Sequence, residues 1–462
     1  MVHIKISKGL DIPIQGHPEG EIKPLVPSGQ SSQLPPVQAA LDLKAFENTR
    51  FRLLVKQGDT VKIGQPLAED KETPGRMFVS PAGGIVNDVR RGLKRSLHDI
   101  VIDIADKESY QEFPRLNLAT ATREELTQRL LEAGCFTTIR SRPFNLLADP
   151  KKPPRSLFIK AIESAPFTTP AEMQVAGYEA EFAAGLKALA KIVDSPVHLV
   201  FRKDTPCKAF SEAAGVNKHT AEGPHPIANS SLHIQEIDPI RSVEDIVWTL
   251  TAYDVVAIGY LLTKGHCLNE RVVSVAGPGI LADRRGYFKI RNGSPVSLLI
   301  SGRIQKGKLR FISGDPLMGK KVSAEDFLGF YDTAFTVIPE NVEREFLHFM
   351  GLGAGKYSFS KAYLSGHLNR KGKEFPFTTN QHGEHRPFID SSLYDKVMPL
   401  NVPTMLLVKA VMAEDFELAE TLGLLEVDSE DFALPTFVCP SKMEMTEIVK
   451  TGLKHYAKEV LS

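Results

Sequence analysis

Apolar and polar residues alternate along the segment from residue 50 to residue 104, and this alternation predicts short β-strands. Phe51, Leu53 and Val55 keep an imperfect period of two, and Val61 and Ile63 repeat it. A period of two places successive side chains on opposite faces of a strand. Gly-Asp, Pro-Gly and Gly-Gly steps between these runs provide tight turns. The segment therefore predicts a small β-sandwich or barrel.

The hydrophobic period changes after residue 120, where helices and strands begin to alternate. Residues 122–125 have the spacing of a capping box and predict a helix that Gly134 can stop. Residues 157–161 and 197–201 are apolar enough for buried strands, and apolar residues at helical spacing lie between them. A second capping box, at residues 169–172, predicts the start of that helix. The strand–helix–strand order favours an open α/β sheet.

The rest of the pattern predicts a long helix, a second β-containing module and a helical end. Residues 242–264 predict one long apolar helix. Short strands separated by glycine turns are predicted over residues 271–322. Helical signals dominate from residues 323–326 onward, and the last helix opens at residues 441–444.

Composition narrows the class of protein. The 462 residues are enough for about three domains. Lys and Arg together number 56 and balance 56 acidic residues, which disfavours a nucleic-acid-binding protein. The four cysteines form no CxxC pair, which disfavours a disulfide framework, a zinc ribbon and an iron–sulfur cluster. The longest apolar stretch, residues 247–262, is interrupted by Tyr253 and Asp254, so any membrane role is expected to be peripheral.

The N-terminal β-rich segment has the glycine and strand spacing of a biotinyl/lipoyl-type β-sandwich. In carrier domains of this type a modified lysine lies on the exposed hairpin, and Lys71 is the candidate here. The segment from Lys71 to Pro81 is longer than the usual carrier hairpin and is broken by Pro74 and Gly75. An unmodified scaffold is therefore favoured over an acyl or biotin carrier.

Two segments resemble phosphate-binding loops but lack essential residues. Residues 314–320 match the glycine and lysine spacing of a P-loop, yet Lys321 occupies the position of the Mg²⁺-binding hydroxyl, which favours a β-turn. The first strand-to-helix loop, residues 162–169, has no glycine and carries Glu163. A dinucleotide needs close backbone approach at this loop, so the sequence predicts an α/β sheet without nucleotide chemistry.

The cysteine and carboxylate candidates have structural alternatives. Cys439 and the following proline resemble the end of a ferredoxin ligand run, but the upstream positions hold Ser429, Phe432 and Pro435, which excludes a cluster of that kind. Asp254 is either a functional buried carboxylate or a residue on the polar edge of an apolar helix.

Histidines concentrate in two places, a proline-rich motif at residues 223–226 and the His-x-x-His pair of His382 and His385, for which solvated or hydrogen-bonded loop histidines are favoured. Two prolines stiffen the loop and hold the imidazole of its histidine at low entropic cost. The loop and a nearby histidine are candidates for contact with a quinone or a partner protein, and hydrogen-bonded loop histidines are the alternative. The candidate residues are Gly223, Pro224, His225, Pro226 and His233.

Taken together, these segments resemble the A-subunit family of the Na⁺-translocating NADH:quinone reductases (Na⁺-NQR) over nearly the whole chain. The family is related to the flavin/NADH-binding subunit of respiratory complex I and to the C-subunit of the electron-transport complex. No single motif decides the resemblance, but the collinear set is specific. It comprises residues 8–16, 223–226, 232–234, 382–384 and 437–440.

The resemblance implies a peripheral cytoplasmic subunit of a multisubunit bacterial inner-membrane complex that oxidises NADH, reduces ubiquinone and exports Na⁺. It implies that FMN, riboflavin, FAD and the iron centres lie on partner subunits, that this chain binds no redox cofactor, and that ubiquinone is a possible substrate. The isolated chain is then expected not to be catalytic. A free-standing NADH- or flavin-binding oxidoreductase is the alternative.

The expected fold class is α+β with several domains. A biotinyl/lipoyl-like β-sandwich is expected over residues 1–110. A Rossmann-like α/β domain without a phosphate-binding glycine loop is expected over residues 111–265. The resemblance adds a β-grasp module of the soluble-ligand-binding type over residues 266–325. A C-terminal helical domain with vacated iron–sulfur positions is expected over residues 326–462.

Overall fold

The computed structural model describes residues 1–25, 37–47, 49–342, 350–368 and 372–461. The strands that it contains are β1 (His3–Lys5), β2 (Ile22–Pro24), β3 (Gln38–Asp42), β4 (Phe51–Leu53), β5 (Thr60–Val61), β6 (Pro66–Asp70), β7 (Met77–Val79), β8 (Gly84–Arg91), β9 (Leu97–Ile104), β10 (Arg140–Arg142), β11 (Leu146–Leu147), β12 (Ser156–Ala161), β13 (Val197–Arg202), β14 (Asn217–Glu222), β15 (Val247–Thr251), β16 (Glu270–Ala276), β17 (Gly286–Arg291), β18 (Leu309–Ser313), β19 (Lys320–Val322) and β20 (Ala334–Pro339).

The helices lie mainly in the middle and at the end of the chain. They are α1 (Arg123–Glu132), α2 (Ala171–Val175), α3 (Glu179–Val193), α4 (Lys208–Ser211), α5 (Ser230–Ile237), α6 (Ala252–Lys264), α7 (Val296–Ile300), α8 (Thr404–Met412), α9 (Phe416–Thr421), α10 (Ala433–Val438) and α11 (Met445–Leu461). Among the described residues, no helix combines the length and apolar character that crossing a bilayer requires.

Two small antiparallel sheets form the N-terminal β unit, with strand orders β3-β9-β8-β5 and β4-β6-β7. Their inner faces share one apolar core that includes Val61, Leu67, Phe78 and Ile100. The strands predicted from the alternating pattern are present here. Lys71 is the first residue after β6, it is exposed, and its backbone N donates to Arg50 O at 2.8 Å.

A seven-stranded sheet forms the centre of the molecule, in the order β1-β14-β13-β12-β15-β10-β11. The strands from β1 to β15 in this order are parallel, whereas β10 and β11 are antiparallel. Helices α3 and α6 pack against each other at two glycines. A Cβ on Gly259 would lie 1.7 Å from Glu181 O, and one on Gly185 would lie 2.1 Å from Val255 O. This pair of helices can therefore approach only because both positions lack a side chain.

The long helix predicted over residues 242–264 is wrong in its first half. Residues 247–251 form β15, which pairs in parallel with β12, and the helix begins only at Ala252. Thr251 and Asp254 form the capping box that starts it. The predominantly apolar residues 247–262 have no period that separates a buried strand from a buried helix, so the sequence pattern merged the two.

The capping box predicted at residues 169–172 is also wrong. Pro170 occupies the N-cap position of α2, and the hydroxyl of Thr169 donates to Thr333 O at 2.7 Å instead of capping the helix. The predicted helix is divided as well, because Gly177 adopts a φ of 81° between α2 and α3. The box at residues 122–125 is confirmed as the start of α1.

A six-stranded sheet, β19-β18-β20-β16-β17-β2, packs beside the central sheet. The helix start predicted at residues 323–326 is wrong, since Asp326 accepts from Ser323 N in a turn and the chain continues into β20. The next α-helix among the described residues begins at Thr404, and α8 to α11 share an apolar core with α5 and with part of the central sheet.

The first 25 residues belong to neither small N-terminal sheet. β1 extends the central sheet beside β14, and β2 extends the six-stranded sheet beside β17. The alternating pattern from residue 50 onward does not cover this segment, so its role as a connection between two sheets is a finding of the structure.

Candidate functional site

The candidate site lies at the carboxyl ends of the parallel strands β12 and β15. The chain runs from β12 to β13 and β14 on one side and then crosses to β15 on the other side of β12. Such a reversal opens a crevice at the strand ends, where open α/β sheets bind ligands. Here the crevice is a cavity of about 260 Å³, closed by the β18–β19 hairpin, by residues 328–334 and by the chain around Glu430.

Lys160 and Glu163 form an ion pair on the floor of this cleft. Lys160 is the penultimate residue of β12, and its Nζ lies 3.1 Å from Oε2 of Glu163. Burial opposes the positive charge, but the carboxylates of Glu163 and Glu430 outweigh it, so the pKa of Lys160 lies above its ordinary value. The cleft therefore holds a charged lysine at neutral pH.

Two further carboxylates that line the cleft hold their protons more tightly than usual. Burial raises the pKa of Glu430 to about 7, and the nearby charges of Asp431 and Asp428 add to the shift against the opposing effect of Lys160. Burial also raises the pKa of Asp315 to about 6. At neutral pH Glu430 is therefore protonated in a large share of the molecules and can donate a hydrogen bond, whereas Asp315 is mostly ionised and accepts.

Asp315 belongs to the segment that resembles a P-loop. Its Oδ1 accepts from Leu317 N at 2.8 Å and Met318 N at 3.2 Å, and the segment joins the antiparallel strands β18 and β19. The predicted β-turn is confirmed. The backbone N–H groups that a phosphate would need are directed at the Asp315 carboxylate.

His225 is the one candidate histidine that lines the cleft. Its Nδ1 lies 3.0 Å from the hydroxyl of Ser164, which in turn accepts from Ala228 N at 3.2 Å. Burial lowers the pKa of His225 to about 4, with a smaller contribution from Lys160, so the ring is neutral at physiological pH. A neutral ring beside a hydroxyl can accept or relay a proton but carries no charge to bind an anion.

The other candidate residues lie behind the cleft wall. Gly223 packs against Ile6, and the backbone O of His225 accepts from Leu10 N at 2.8 Å, so the N-terminal segment covers this loop. His233 is 1% exposed and its Nε2 bonds Ile227 O at 2.8 Å. Gly223, Pro224, Pro226 and His233 are absent from the cleft lining in the part of the chain that the structure describes.

The opposite wall is built around Arg271 and Tyr253. The guanidinium of Arg271 lies 4.8 Å from the centre of the Tyr253 ring, and its Nε donates to Asn292 Oδ1 at 2.6 Å. Gln174 pairs with both backbone groups of Val272, at 2.7 and 3.2 Å, which fixes α2 to β16. These contacts join the central and six-stranded sheets on either side of the cavity.

Asp254 lines the cleft, but its side chain caps the N-terminus of α6. Its Oδ2 accepts from Thr251 N at 2.9 Å and from the Thr251 hydroxyl at 2.6 Å. Burial raises the pKa of Asp254, although these hydrogen bonds oppose the shift. Of the two sequence interpretations, the contacts favour a structural carboxylate that starts α6 at the edge of the site.

The glycine-free loop after β12 is fixed to the neighbouring sheet. Thr169 donates to Thr333 O, and the hydroxyl of Ser274 donates to Phe167 O. Phe167 adopts a φ of 67°, and Glu163 projects into the cleft. A diphosphate at this loop would meet a carboxylate rather than free backbone N–H groups, which disfavours nucleotide binding in the usual manner.

Cys439 is packed in the C-terminal core. It is 0% exposed, its Sγ lies 3.1 Å from the hydroxyl of Tyr394, and it accepts from Met443 N at 3.4 Å. Phe432 and Pro435, at two of the expected ligand positions, are buried with it. The thiol therefore has a packing role in this core.

Three residues of the cleft were not predicted as site residues from the sequence: Lys160, Asp315 and Glu430. Lys160 had a detectable signal, because a lysine near the carboxyl end of an apolar strand is unusual. Asp315 was noticed only as part of a turn. Glu430 reaches the cleft from a distant segment, and no local pattern marks it.

Comparison with known proteins places the chain in a family. A family model described as the NqrA N-terminal barrel-sandwich hybrid domain matches residues 4–105. Models described as the NqrA second alpha/beta domain and the NQRA C-terminal domain match residues 121–267 and 272–324. The A-subunit of the Na(+)-translocating NADH-quinone reductase of Chlamydia caviae is 39% identical, over 99% of this chain and 97% of its own. The chain belongs to the NqrA family, the A-subunits of Na(+)-translocating NADH-quinone reductases.

Other members of the NqrA family match over nearly the same length. The A-subunit of Chlamydia pneumoniae is 38% identical over 99% of this chain and 98% of its own. That of Saccharophagus degradans is 35% identical over 99% of this chain and 100% of its own. The resemblance to this family is confirmed, as is a mixed α/β multidomain architecture with a barrel-sandwich N-terminal domain. The Rossmann-like, β-grasp and helical-domain assignments and the residue ranges of the four domains stay predictions.

Solved structures show only a distant likeness. An NAD⁺-reducing NiFe hydrogenase in its air-oxidized state is 13% identical, with a TM-score of 0.32, over 52% of this chain and 53% of its own. The hydrogenase in its H2-reduced state is 12% identical, with a TM-score of 0.37, over 76% of this chain and 67% of its own. Likeness at this level supports no inference about this member of the NqrA family.

Proposed function

We propose that this chain is the peripheral NqrA component of a bacterial sodium-pumping NADH:ubiquinone oxidoreductase, bound at the cytoplasmic face of the inner membrane. It helps to assemble the complex and takes part in the quinone step. FMN, riboflavin, FAD and iron centres lie on partner subunits, one of them embedded in the membrane, and the chain alone is not catalytic. The proposal is supported by 35–39% identity to curated NqrA-family members over nearly the whole length.

The quinone contact is assigned to the cleft beside His225. Quinone head groups need apolar or aromatic walls with a few polar groups that fix their orientation. Tyr253, Leu317 and Phe330 provide such walls, and His225 and Lys160 provide polar groups at the strand ends. A cavity of about 260 Å³ is large enough for a head group but not for its isoprenoid tail. The tail would extend out of the opening.

The first experiment tests membership of the complex. The chain, tagged at its C-terminus, is purified from its native membranes in mild detergent, and co-purifying proteins are identified by mass spectrometry. We expect the other reductase subunits in equal amounts, and the isolated chain to be colourless. Purification of the chain alone would contradict the assembly role, and a yellow isolated chain with bound flavin would favour the free-standing oxidoreductase.

The second experiment tests the cleft. The intact complex is labelled with a photoreactive ubiquinone analogue, and the labelled peptides are mapped. We expect labels on cleft peptides, suppressed by excess short-chain ubiquinone. Leu317→Trp fills the cavity and should reduce the labelling at least tenfold. Leu281→Trp adds the same side chain to an exposed site outside the cavity and should leave it unchanged. Labelling confined to other subunits would contradict the quinone assignment.

A further inference from the structure

A compact surface segment exposes large apolar side chains without any acidic residue among them. Met350, Leu352, Leu364 and Leu368 are 59%, 72%, 63% and 54% exposed. Residues 350–368 contain two lysines, one histidine and no Asp or Glu. Exposed apolar side chains scattered singly are normal, but a contiguous group marks an interaction site.

Backbone contacts within the segment bring its leucines close together. Ser365 N donates to Leu352 O at 3.1 Å, which brings Leu352 beside Leu364. A turn of 3-10 helix, Leu364–His367, places Leu368 directly after it. Tyr363 is 6% exposed and packs against Gly353, so it anchors the segment to the protein. The outward position of the leucines is thus set by the fold around Tyr363.

Three lysines belong to this segment or contact it. Lys361 and Lys373 are exposed, and Nζ of Lys373 donates to Ala354 O at 3.0 Å, which attaches it to the same segment. Nζ of Lys356 lies 5.8 Å from the centre of the Tyr363 ring. We call this surface the 350–373 patch, formed by Met350, Leu352, Leu364 and Leu368 with Lys356, Lys361 and Lys373.

We propose that the 350–373 patch lies against an anionic phospholipid layer, with its leucines in the headgroup region and its lysines on the lipid phosphates. Exposed apolar side chains together with lysines are the chemistry that binds a negatively charged bilayer surface. A protein partner fits less well, because the cytoplasmic loops of membrane proteins carry excess Lys and Arg and would repel the lysines. This interaction is independent of the quinone assignment.

A second apolar surface provides a matched control. Met412 and Leu418 are 52% and 46% exposed, similar to the leucines of the patch. Their neighbours along the chain are acidic, with Glu414, Glu417 and Glu420 close by. An anionic membrane should repel this surface, so it controls for exposed apolar area without positive charge.

Vesicle binding of the full chain tests the proposal. The purified chain is sedimented with phosphatidylcholine vesicles that contain or lack phosphatidylglycerol. We expect at least tenfold tighter binding to the anionic vesicles, weakened by salt. Leu352→Ser with Leu364→Ser should abolish it, Lys361→Gln with Lys373→Gln should weaken it and reduce its salt dependence, and Met412→Ser with Leu418→Ser should leave it unchanged. Equal binding to both vesicles would overturn the proposal, as would binding that requires vesicles containing the membrane subunits.

Tryptophan fluorescence gives a second readout. It detects contact with the membrane directly and does not depend on a variant that loses binding. The one native tryptophan, Trp248, is 1% exposed, so an introduced surface tryptophan can be distinguished from it. Emission of Leu364→Trp should shift to the blue when anionic vesicles are added, whereas emission of Leu418→Trp should not. An unchanged Leu364→Trp spectrum would overturn the proposal even if the chain sediments with vesicles.

Discussion

His219 donates its Nε2 proton to Nδ1 of His198 across 3.0 Å, between the adjacent strands β14 and β13. The direction follows from the other ring nitrogen of His219, because Nδ1 accepts a hydrogen bond from Val2 N at 3.1 Å. Both rings are therefore neutral in this arrangement. Burial lowers the pKa of both histidines, to about 4 for His219. The pair fastens the N-terminal strand β1 to the central sheet.

We expect the free energy of unfolding to decrease as the pH falls from about 6.5 to about 4. Unfolded histidine binds a proton near pH 6.5, whereas folded His219 does so only near pH 4, so acid favours the unfolded chain. The stabilisation is complete above pH 6.5. His219 is 4% exposed, so solvent screens its ring little. Between pH 7.5 and pH 5, one such group accounts for a loss of about 2 kcal/mol in urea unfolding experiments.

His219→Leu isolates the contribution of this pair. The variant should lose about 2 kcal/mol less than the parent protein over the same pH interval, because it removes the group that titrates. His385→Leu, which replaces an exposed histidine, should keep the parental loss. An unchanged pH dependence in His219→Leu would contradict the neutral pair.

The contribution of Glu430 to the free energy of unfolding should depend on pH in the opposite direction to that of His219. The folded chain keeps this carboxyl protonated up to about pH 7, whereas the unfolded chain releases the proton near pH 4.5, so stability falls as the pH rises through this window. Glu430→Gln removes the effect. We expect it to be more stable than the parent by about 3 kcal/mol at pH 8 and equal to it near pH 4. Urea unfolding at both pH values measures the difference.

Glu325→Gln is the control for the loss of a negative charge, since Glu325 is exposed. It should change stability by no more than about 0.5 kcal/mol at either pH. If Glu430→Gln proved less stable than the parent at pH 8, the charged carboxylate would be a stabilising partner of Lys160, and the raised pKa of Glu430 would be refuted.

The close contact between α3 and α6 predicts that one added methyl group at this contact lowers the stability of the protein strongly. Gly259→Ala places a Cβ within 1.7 Å of Glu181 O, so the two helices must separate. We expect a loss of about 3 kcal/mol or more, measured as a lower midpoint of thermal or urea unfolding. Gly355→Ala adds a methyl group where no atom lies within 4 Å and should be nearly neutral. Equal effects of the two substitutions would contradict the close packing.

Removing the capping box of α6, which lies next to the cleft, should lower the stability of the protein moderately. Thr251→Ala removes the hydroxyl that donates to Asp254 and accepts from its backbone N. A loss of about 1 kcal/mol is expected, as for other N-caps. Thr122→Ala makes the same change in the box of α1, which does not line the cavity. The two variants should be equally destabilised, and only Thr251→Ala should alter quinone labelling of the complex.

The sequence predicted those elements whose signals are local. Residues 157–161 and 197–201 were predicted as strands because each is a short apolar run bounded by breakers, and the capping box at residues 122–125 satisfies its own helix end. β15 was missed because it continues directly into α6 and the capping box of Thr251 and Asp254, which marks the boundary, was not recognised in the sequence. Thr169 was misassigned because a distant carbonyl, that of Thr333, competes for its hydroxyl.

The cleft was predictable only in part, because most of its residues carry no local signal in the sequence. His225 was singled out by its flanking prolines, a local feature, and it lines the cavity. Its loop partner in that prediction, His233, points into the core because a helix turn places it beside Ile227. Glu430 and Asp315 reach the site from segments far along the chain from Lys160. Their raised pKa values arise from tertiary burial, which no sequence period encodes.

The attachment of β1 and β2 to later strands has a consequence for synthesis. His3 pairs with Thr220, and Ile22 pairs with Tyr287. A ribosome translating this message releases the opening strands long before their partners have been made. Their unpaired edges remain available to other nascent chains during that interval, so chaperones that guard emerging polypeptides should influence the yield of this protein more than that of a chain whose first strands pair at once.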